Sequence, residues 1–168
     1  MFEINSCVLY GSNGVCKIVE KKKQKLFGDE KEYYVLSPLS EGKSVIYVPC
    51  DNELLLSKMK RILTKEEVLD IIIGIKNIVP KWEKDSKKRS EICNSILSGG
   101  DRQQIVAMIH SLYVKRRELQ DAGKHLGSYD GTILRKAEKI LNDEFSLSLG
   151  IPSEEVPAFI RDTLAATE

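Results

Sequence analysis

One tryptophan stands in a basic, polar segment, and it is the side chain in this sequence with the clearest potential for binding chemistry. Trp82 is the only tryptophan among the 168 residues. The cations that follow it are Lys84, Lys87, Lys88 and Arg89. An aromatic ring flanked by cations can contact bases or sugars while the cations bind phosphates. The segment therefore predicts contact with nucleic acid, unless the ring is packed in a core.

Two further basic clusters could take part in binding. Lys115, Arg116 and Arg117 lie on a predicted helix and could join the surface around Trp82. The stretch KKKQK, residues 21–25, lies on a predicted strand, where a run of charge is typical of a solvated face. The formal net charge is +1, so an argument for nucleic-acid binding must rest on local clusters rather than on total charge.

Residue patterns that would indicate catalysis or metal binding are missing from the sequence. There is no G-x-x-x-x-G-K-[ST] phosphate loop, no G-x-G-x-x-G after a strand and no H-E-x-x-H. The four cysteines are not spaced as C-x-x-C, and the histidines are His110 and His125. We therefore expect no enzymatic activity, no metal site, no cofactor and no small-molecule substrate.

The sequence also carries expectations about location. The opening MFEINSC lacks the basic-then-apolar pattern of a signal peptide. The longest apolar run, VLDIIIGI, is too short to span a bilayer. Free thiols without an export signal indicate a reducing compartment, so we expect a cytoplasmic protein with no membrane partner.

The first third of the chain has the pattern of β-structure. Short runs of Val, Ile and Tyr are separated by turn residues, and the runs are SCVLYG, VCKIVEK, EYYVLSP and KSVIYVP. Gly11 and Gly14 around Ser12 and Asn13 suit a tight turn. Strands this short must bury their faces together, which favours a small closed barrel.

From Thr64 onward the apolar period becomes helical. TKEE at residues 64–67 is a capping box, and Asp101 and Ser128 can begin later helices. Pro80 stops the first helix or keeps it stopped, and Gly99-Gly100 ends the second. The residues predicted to face inward on the third and fourth helices are Ile105, Ile109, Leu112, Ile133, Ala137, Ile140, Leu141 and Phe145.

The predicted class is therefore α+β, a small β-barrel followed by an all-α bundle of about five helices. We predict the domains at residues 1–60 and 61–168.

The residues also carry a resemblance to a known family. In the first half it rests on Val8, Tyr10, Gly14, GDEKEYYVL and VPCDN. In the second half it rests on the lone tryptophan before a basic helix, on ILSGGDRQQIVAMIHSLY and on LRKAEKILNDEFSLSLGIP. The order and spacing of these stretches resemble the CarD-like bacterial transcription regulators over nearly the whole chain. The first half is also similar to the RNA-polymerase-interacting domain of transcription-repair coupling factor.

This resemblance implies a Tudor-like (SH3-like) barrel that docks on the RNA polymerase β subunit. It implies a helical domain that contacts promoter DNA in the minor groove, with little sequence specificity, at the upstream edge of the melted region. Trp82 matches the family's wedge, which stabilises the open promoter complex. The protein would be bacterial and cytoplasmic, and associated with the nucleoid through RNA polymerase.

The resemblance assigns candidate residues to both partners. The DNA-binding residues are Trp82, Lys84, Lys87, Lys88, Arg89, Lys115 and Arg116. The polymerase-binding residues are Lys23, Gln24, Lys25, Ile46, Tyr47 and Val48. Some members carry arginines where this chain has Gln24 and Tyr47, so polymerase binding here would depend more on strand pairing and apolar contact. Some members carry a basic residue where this chain has Gly131.

A second interpretation is a protein-interaction adaptor, whose barrel binds a protein partner without DNA contact. The environment of Trp82 distinguishes the two. A ring exposed beside Lys84 and Lys88 favours the DNA-binding regulator, and a ring packed in the bundle core favours the adaptor.

Overall fold

The computed structural model describes residues 1–40 and 44–167, and the chain divides into two units, Met1–Ile62 and Leu63–Glu168. The first unit contains β1 (Cys7–Tyr10), β2 (Val15–Phe27), β3 (Asp29–Pro38), β4 (Ile46–Pro49), the short helix α1 (Glu53–Leu56) and β5 (Met59–Arg61). The strands form one antiparallel sheet in the order β4-β3-β2-β1-β5.

The hairpin of β2 and β3 is the longest feature of this sheet. The sequence predicted two shorter strands with FGDEK between them, but the ladder continues to Phe27 and Asp29, leaving a turn at Gly28. Bulges between Ile18 and Glu20 and between Lys25 and Phe27 interrupt its register. Such bulges bend and twist a strand, which lets a small sheet curl around its own core.

One face of the sheet encloses the core of the first unit. The buried cluster consists of Val8, Tyr10, Cys16, Ile18, Tyr34, Leu36, Val48 and Met59. These residues alternate along each strand, as expected when one face of a sheet is buried. The predicted turn after β1 is confirmed, because Gly11 and Gly14 have φ angles of 50° and 73°.

The end of this unit differs from the sequence-based expectation. The run KSVIYVP forms a strand only from Ile46, and its Lys43, like Glu41 and Gly42 of the predicted turn before it, lies outside the described residues. The sequence analysis also missed α1 and β5. Four-residue and three-residue elements are too short to show a period.

The second unit is helical. Its helices are α2 (Lys65–Gly74), α3 (Ser86–Gly99), α4 (Arg102–Asp121), α5 (Ser128–Leu149) and α6 (Val156–Ala166). The predicted class, α+β with a Tudor-like barrel followed by a helical bundle, is confirmed. Within the described part of the chain, no helix is long and apolar enough to cross a membrane.

Local capping signals explain most helix ends. The Thr64 amide donates to Glu67 Oε2 at 2.8 Å, and the Glu67 amide donates to Thr64 Oγ1 at 3.2 Å, so the capping box is confirmed. Asp101 accepts from the first amides of α4, as predicted. The helix ends before Pro80, since α2 ends at Gly74 and a 3₁₀ turn follows it over Ile75–Asn77, so of the two predicted roles Pro80 keeps the helix stopped.

The inward faces of α4 and α5 are buried as predicted, with Phe145 and Ala137 fully enclosed. A buried ion pair joins the two helices. Arg102 at the start of α4 donates to both oxygens of Glu144 on α5, with its Nη2 2.7 Å from Oε2 and its Nε 2.9 Å from Oε1. The carboxylate has a relative exposure of only 1%. A charge so deeply buried requires this partner to remain stable.

Candidate nucleic-acid interface

The segment that carries Trp82 is irregular but held at both ends. It connects the end of α2 to the start of α3. The Lys81 amide donates to Ser111 Oγ on α4 at 3.0 Å. Asp85 caps α3 by accepting from the Lys88 amide at 3.0 Å. These bonds place Trp82 close to both α3 and α4 without including it in either helix.

Two cations lie over the ring of Trp82. The guanidinium carbon of Arg89 is 4.1 Å from the ring centroid, and Lys115 Nζ is 5.2 Å from it. Both distances are in the range of cation–π attraction, worth about 0.5–1 kcal/mol each at exposed sites. Trp82 is half-buried. The structure thus brings three predicted DNA-binding residues together, with the ring neither fully exposed nor enclosed in the bundle core.

Arg89 makes the most specific contacts in this region. Its Nε and Nη2 each donate to one carboxylate oxygen of Asp130 on α5, both at 2.8 Å, and its Nη1 donates to the Glu83 carbonyl at 2.8 Å. The hydrogen bond with Asp130 raises the pKa of Arg89 further. The side chain has a relative exposure of 13%, so little of the guanidinium remains for a phosphate. Arg89 is placed to hold the tryptophan segment rather than to meet DNA directly.

The other basic residues of α3 are arranged differently. Lys84, Lys87 and Lys88 are exposed, and within residues 1–40 and 44–167 none of them forms an ion pair. Lys87 and Lys88 lie in the first turn of α3, which contains no acidic residue. Cations at a helix N-terminus are opposed by the helix dipole. An anion bound here would be attracted by both the lysines and the dipole.

Lys115 and Arg116 are neighbours in sequence but face different sides of α4. Lys115 lies over Trp82, and its Nζ is also 3.7 Å from Glu118. Arg116 lies over the ring of Tyr113, with its guanidinium carbon 4.6 Å from the centroid. It lines a groove of about 420 Å³ that also involves Pro157 and other residues of α6. The predicted contribution of Arg116 to the Trp82 surface is therefore not supported by its position.

An apolar groove adjoins Trp82. It has a volume of about 520 Å³, and its walls include Ile92 and Ile96 of α3 and Met108 of α4. Ile92 is 49% exposed and Ile96 is half-buried, so neither belongs to the fully buried core. Both follow the basic turn at helical spacing, which was the available signal that they continue the Trp82 surface. Cys93 also lines this groove, and burial raises the pKa of its thiol.

The predicted polymerase-binding residues lie on two strands that are not neighbours. Lys23, Gln24 and Lys25 are on β2, whereas the others are on β4, and β3 lies between these strands. Lys23 and Lys25 are exposed. Gln24 is half-buried, and among the described residues its buried Oε1 has no hydrogen-bond partner. A contact does cross β3, since Lys22 Nζ lies 5.6 Å from the centroid of the Tyr47 ring.

β4 is an end strand of the sheet, and the backbone amide and carbonyl groups of successive residues point alternately toward β3 and away from it. The Cys50 amide donates to the Glu32 carbonyl on β3 at 2.9 Å. Hydrogen-bonded and non-hydrogen-bonded pairs alternate in an antiparallel ladder, so Val48 and Ile46 also bond toward β3. The backbone of Tyr47 therefore faces outward. The Val48 side chain is fully buried in the core, so only its backbone could take part in binding.

These positions provide two surfaces of different chemistry. The first unit offers an end strand with an outward-facing backbone, and the second offers a half-buried tryptophan with lysines. Within the described residues there is no cluster of three or more His, Cys, Asp or Glu side chains that could hold a metal ion.

A comparison with known families identifies the first unit. The family model of the CarD-like/TRCF RID domain matches residues 2–60, which include β1 to β4 and α1. The matched region contains all six predicted polymerase-binding residues, Lys23, Gln24, Lys25, Ile46, Tyr47 and Val48. The first unit of this chain is therefore identified as a CarD-like/TRCF RID domain.

Proposed function

We propose that this protein is a transcription regulator that binds the RNA polymerase β subunit through its first unit and promoter DNA through its second. The observation that carries the DNA-binding part is the half-buried Trp82, which lies beneath Arg89 and Lys115 and is followed in sequence by the exposed Lys84, Lys87 and Lys88. The chain would stabilise the open promoter complex by inserting this ring as a wedge.

Polymerase binding would occur by strand addition at β4. An end strand offers backbone donors and acceptors to a strand of a partner protein, and this mode depends little on side-chain identity. The outward-facing backbone of Tyr47 supports it. Strand addition is also compatible with Gln24 and Tyr47 at positions where other family members have arginines.

DNA contact would combine the ring with phosphate-binding lysines. An apolar side chain inserted from the minor groove partly unstacks a base step, which costs a few kcal/mol. Lys84, Lys87 and Lys88 would bind the adjacent phosphates and orient the chain. Sequence readout is unnecessary, because the bound polymerase determines the position on the promoter.

The regulatory effect would follow from differential affinity. A protein that binds the melted promoter better than the closed one shifts the equilibrium by the difference between the two binding free energies. A preference of about 1.4 kcal/mol changes that equilibrium about tenfold.

The proposal includes no catalytic activity. The groove beside Trp82 is lined by one cysteine, Cys93, among the described residues. Burial raises the pKa of this thiol, which disfavours the reactive thiolate.

The adaptor remains the second candidate, and one observation favours it. Trp82 adjoins an apolar groove with exposed Ile92, a combination that could also bind an apolar segment of another protein. The helical unit would then bind protein rather than DNA.

One experiment distinguishes the two functions. The half-life of open complexes formed by purified polymerase on a supercoiled promoter is measured after challenge with competitor DNA, with and without the full chain. The regulator lengthens the half-life. An unchanged half-life, together with retained binding to the β subunit in a pull-down, supports the adaptor and contradicts the wedge.

A further inference from the structure

A buried carboxylate lies next to the proposed wedge, and the proposed function does not use it. Asp130 is in the first turn of α5 and has a relative exposure of 6%. We propose that Asp130 and Arg89 are positioning residues, which hold Trp82 in the orientation needed for insertion. This inference rests on the proposed function of Trp82.

The contacts of Arg89 provide the physical link. A guanidinium is planar, and two parallel hydrogen bonds to one carboxylate fix both its position and its plane. Here those bonds run from Nε and Nη2 to the two oxygens of Asp130, each at 2.8 Å. The fixed guanidinium has its central carbon 4.1 Å from the Trp82 ring centroid.

The same group also fixes the backbone next to the ring. Arg89 Nη1 donates to the carbonyl of Glu83, the residue that follows Trp82, at 2.8 Å. One side chain therefore holds both the indole ring and the main chain beside it. Trp82 and Glu83 lie in an irregular segment, so they are not held by the hydrogen bonds of a helix or strand.

Order in this segment has a direct effect on insertion. A ring that is already held in the binding orientation loses less conformational freedom when it contacts DNA, and preorganisation of this kind increases affinity. Arg89 then contributes to DNA binding through Trp82 and not through a phosphate. A substitution at Asp130, whose carboxylate cannot itself bind a phosphate, should have the same effect.

The chain contains a matched control for this ion pair. Arg102 and Glu144 also form a buried arginine–carboxylate pair that joins a helix to α5. Neither residue has a contact with Trp82 among the described ring contacts. Arg102→Lys therefore perturbs a buried pair of the same kind without acting on the tryptophan segment.

The test begins with the fluorescence of the 168-residue chain, in which Trp82 is the only tryptophan. The variants are Arg89→Lys, Asp130→Asn, the double variant Arg89→Gln/Asp130→Asn and the control Arg102→Lys. At a temperature well below every melting temperature, we expect red-shifted emission and stronger acrylamide quenching in the first three. Arg102→Lys should keep the wild-type emission and quenching.

The second measurement is the half-life of open complexes at saturating protein. We expect a roughly two- to fivefold decrease for each Arg89 or Asp130 variant, which corresponds to the loss of one exposed cation–π contact. The control should keep the wild-type value. The salt dependence of DNA binding should stay unchanged in the double variant. If Arg89 did contact a phosphate, its removal would reduce the salt slope by about one.

Each result decides the inference. Wild-type quenching and half-life in Arg89→Lys and Asp130→Asn would overturn it, as would an equal change in Arg102→Lys or a reduced salt slope in the double variant. If Asp130→Asn does not fold, Arg89→Lys decides, because it keeps a charge opposite the carboxylate. Trp82→Ala separates the two proposals. If it leaves the half-life unchanged, the wedge fails, and the quenching data alone decide whether Arg89 and Asp130 hold the ring.

Discussion

At the scale of single residues, the position of Trp82 explains why a large apolar ring is tolerated in a basic segment. Its neighbours in space include Arg89 and Lys115, whose cations lie over the indole ring. The ring is therefore stabilised by its basic surroundings and still remains only half-buried. Attraction of a phosphate backbone would then come from the exposed Lys84, Lys87 and Lys88 rather than from Arg89.

The first prediction concerns Trp82→Ala. We expect polymerase binding to persist and the half-life of open complexes to fall about tenfold, equivalent to about 1.4 kcal/mol of differential contact. Because the ring is half-buried, the loss of unfolding free energy should stay below the ~3–5 kcal/mol of a core Trp→Ala substitution. The measurements are open-complex lifetime and thermal melting of the free protein. A large drop in melting temperature with an unchanged lifetime would show that Trp82 is a structural residue only.

The second prediction compares two basic residues. Lys88 is exposed and without an ion pair among the described residues, so Lys88→Gln should reduce the salt slope of DNA binding by about one. Arg116 lies over Tyr113 on another side of α4, so Arg116→Gln should leave the slope unchanged. Titrations of a promoter fragment at several salt concentrations measure both. Equal slopes for the two variants would place the DNA surface elsewhere.

At the scale of elements, local sequence signals predicted the fold better than the site. The capping box at Thr64 and the apolar face of α5 were predictable, because each depends on residues within one or two turns. The pair of Arg89 and Asp130 was not, since the two residues are 41 positions apart in sequence. Arg89 looked like a phosphate contact because its sequence neighbours are cations, whereas its bonding partner lies on another helix.

The third prediction belongs to β4. Proline at Tyr47 removes an outward-facing amide without removing a bond to β3, and it also obstructs an added strand. We expect Tyr47→Pro to weaken binding to the polymerase β subunit about tenfold, near the upper end of what one net hydrogen bond contributes. Tyr47→Ala keeps the amide and serves as the control.

Binding of the isolated β lobe, measured for both variants after thermal melting has shown that they are folded, tests this expectation. If Tyr47→Ala weakens binding as much as Tyr47→Pro, the tyrosine side chain is the determinant, and strand addition at β4 is contradicted.

At the scale of the whole molecule, the two units would contribute to one outcome in different ways. Binding to polymerase raises the local concentration of the helical unit near the promoter, as tethering does for any pair of linked binding modules. In the proposed function, contact by Trp82 would change the relative stability of the open and closed complexes. A defect in tethering can be compensated by mass action, but a defect in the differential contact cannot.

The fourth prediction follows from this difference. Open-complex half-life is measured at increasing concentrations of the 168-residue chain. Tyr47→Pro should shift the midpoint of the titration to about tenfold higher protein concentration and reach the wild-type plateau, because its only loss is affinity for polymerase. Trp82→Ala should reach a lower plateau, because contact made only in the open complex is lost, and its midpoint should rise by no more than about tenfold, because the same contact also contributes affinity for that complex. The double variant should show both changes, since the two positions lie in different units. A reduced plateau in Tyr47→Pro would mean that polymerase binding itself stabilises the open complex, and a midpoint shift alone in Trp82→Ala would mean that the tryptophan only adds affinity.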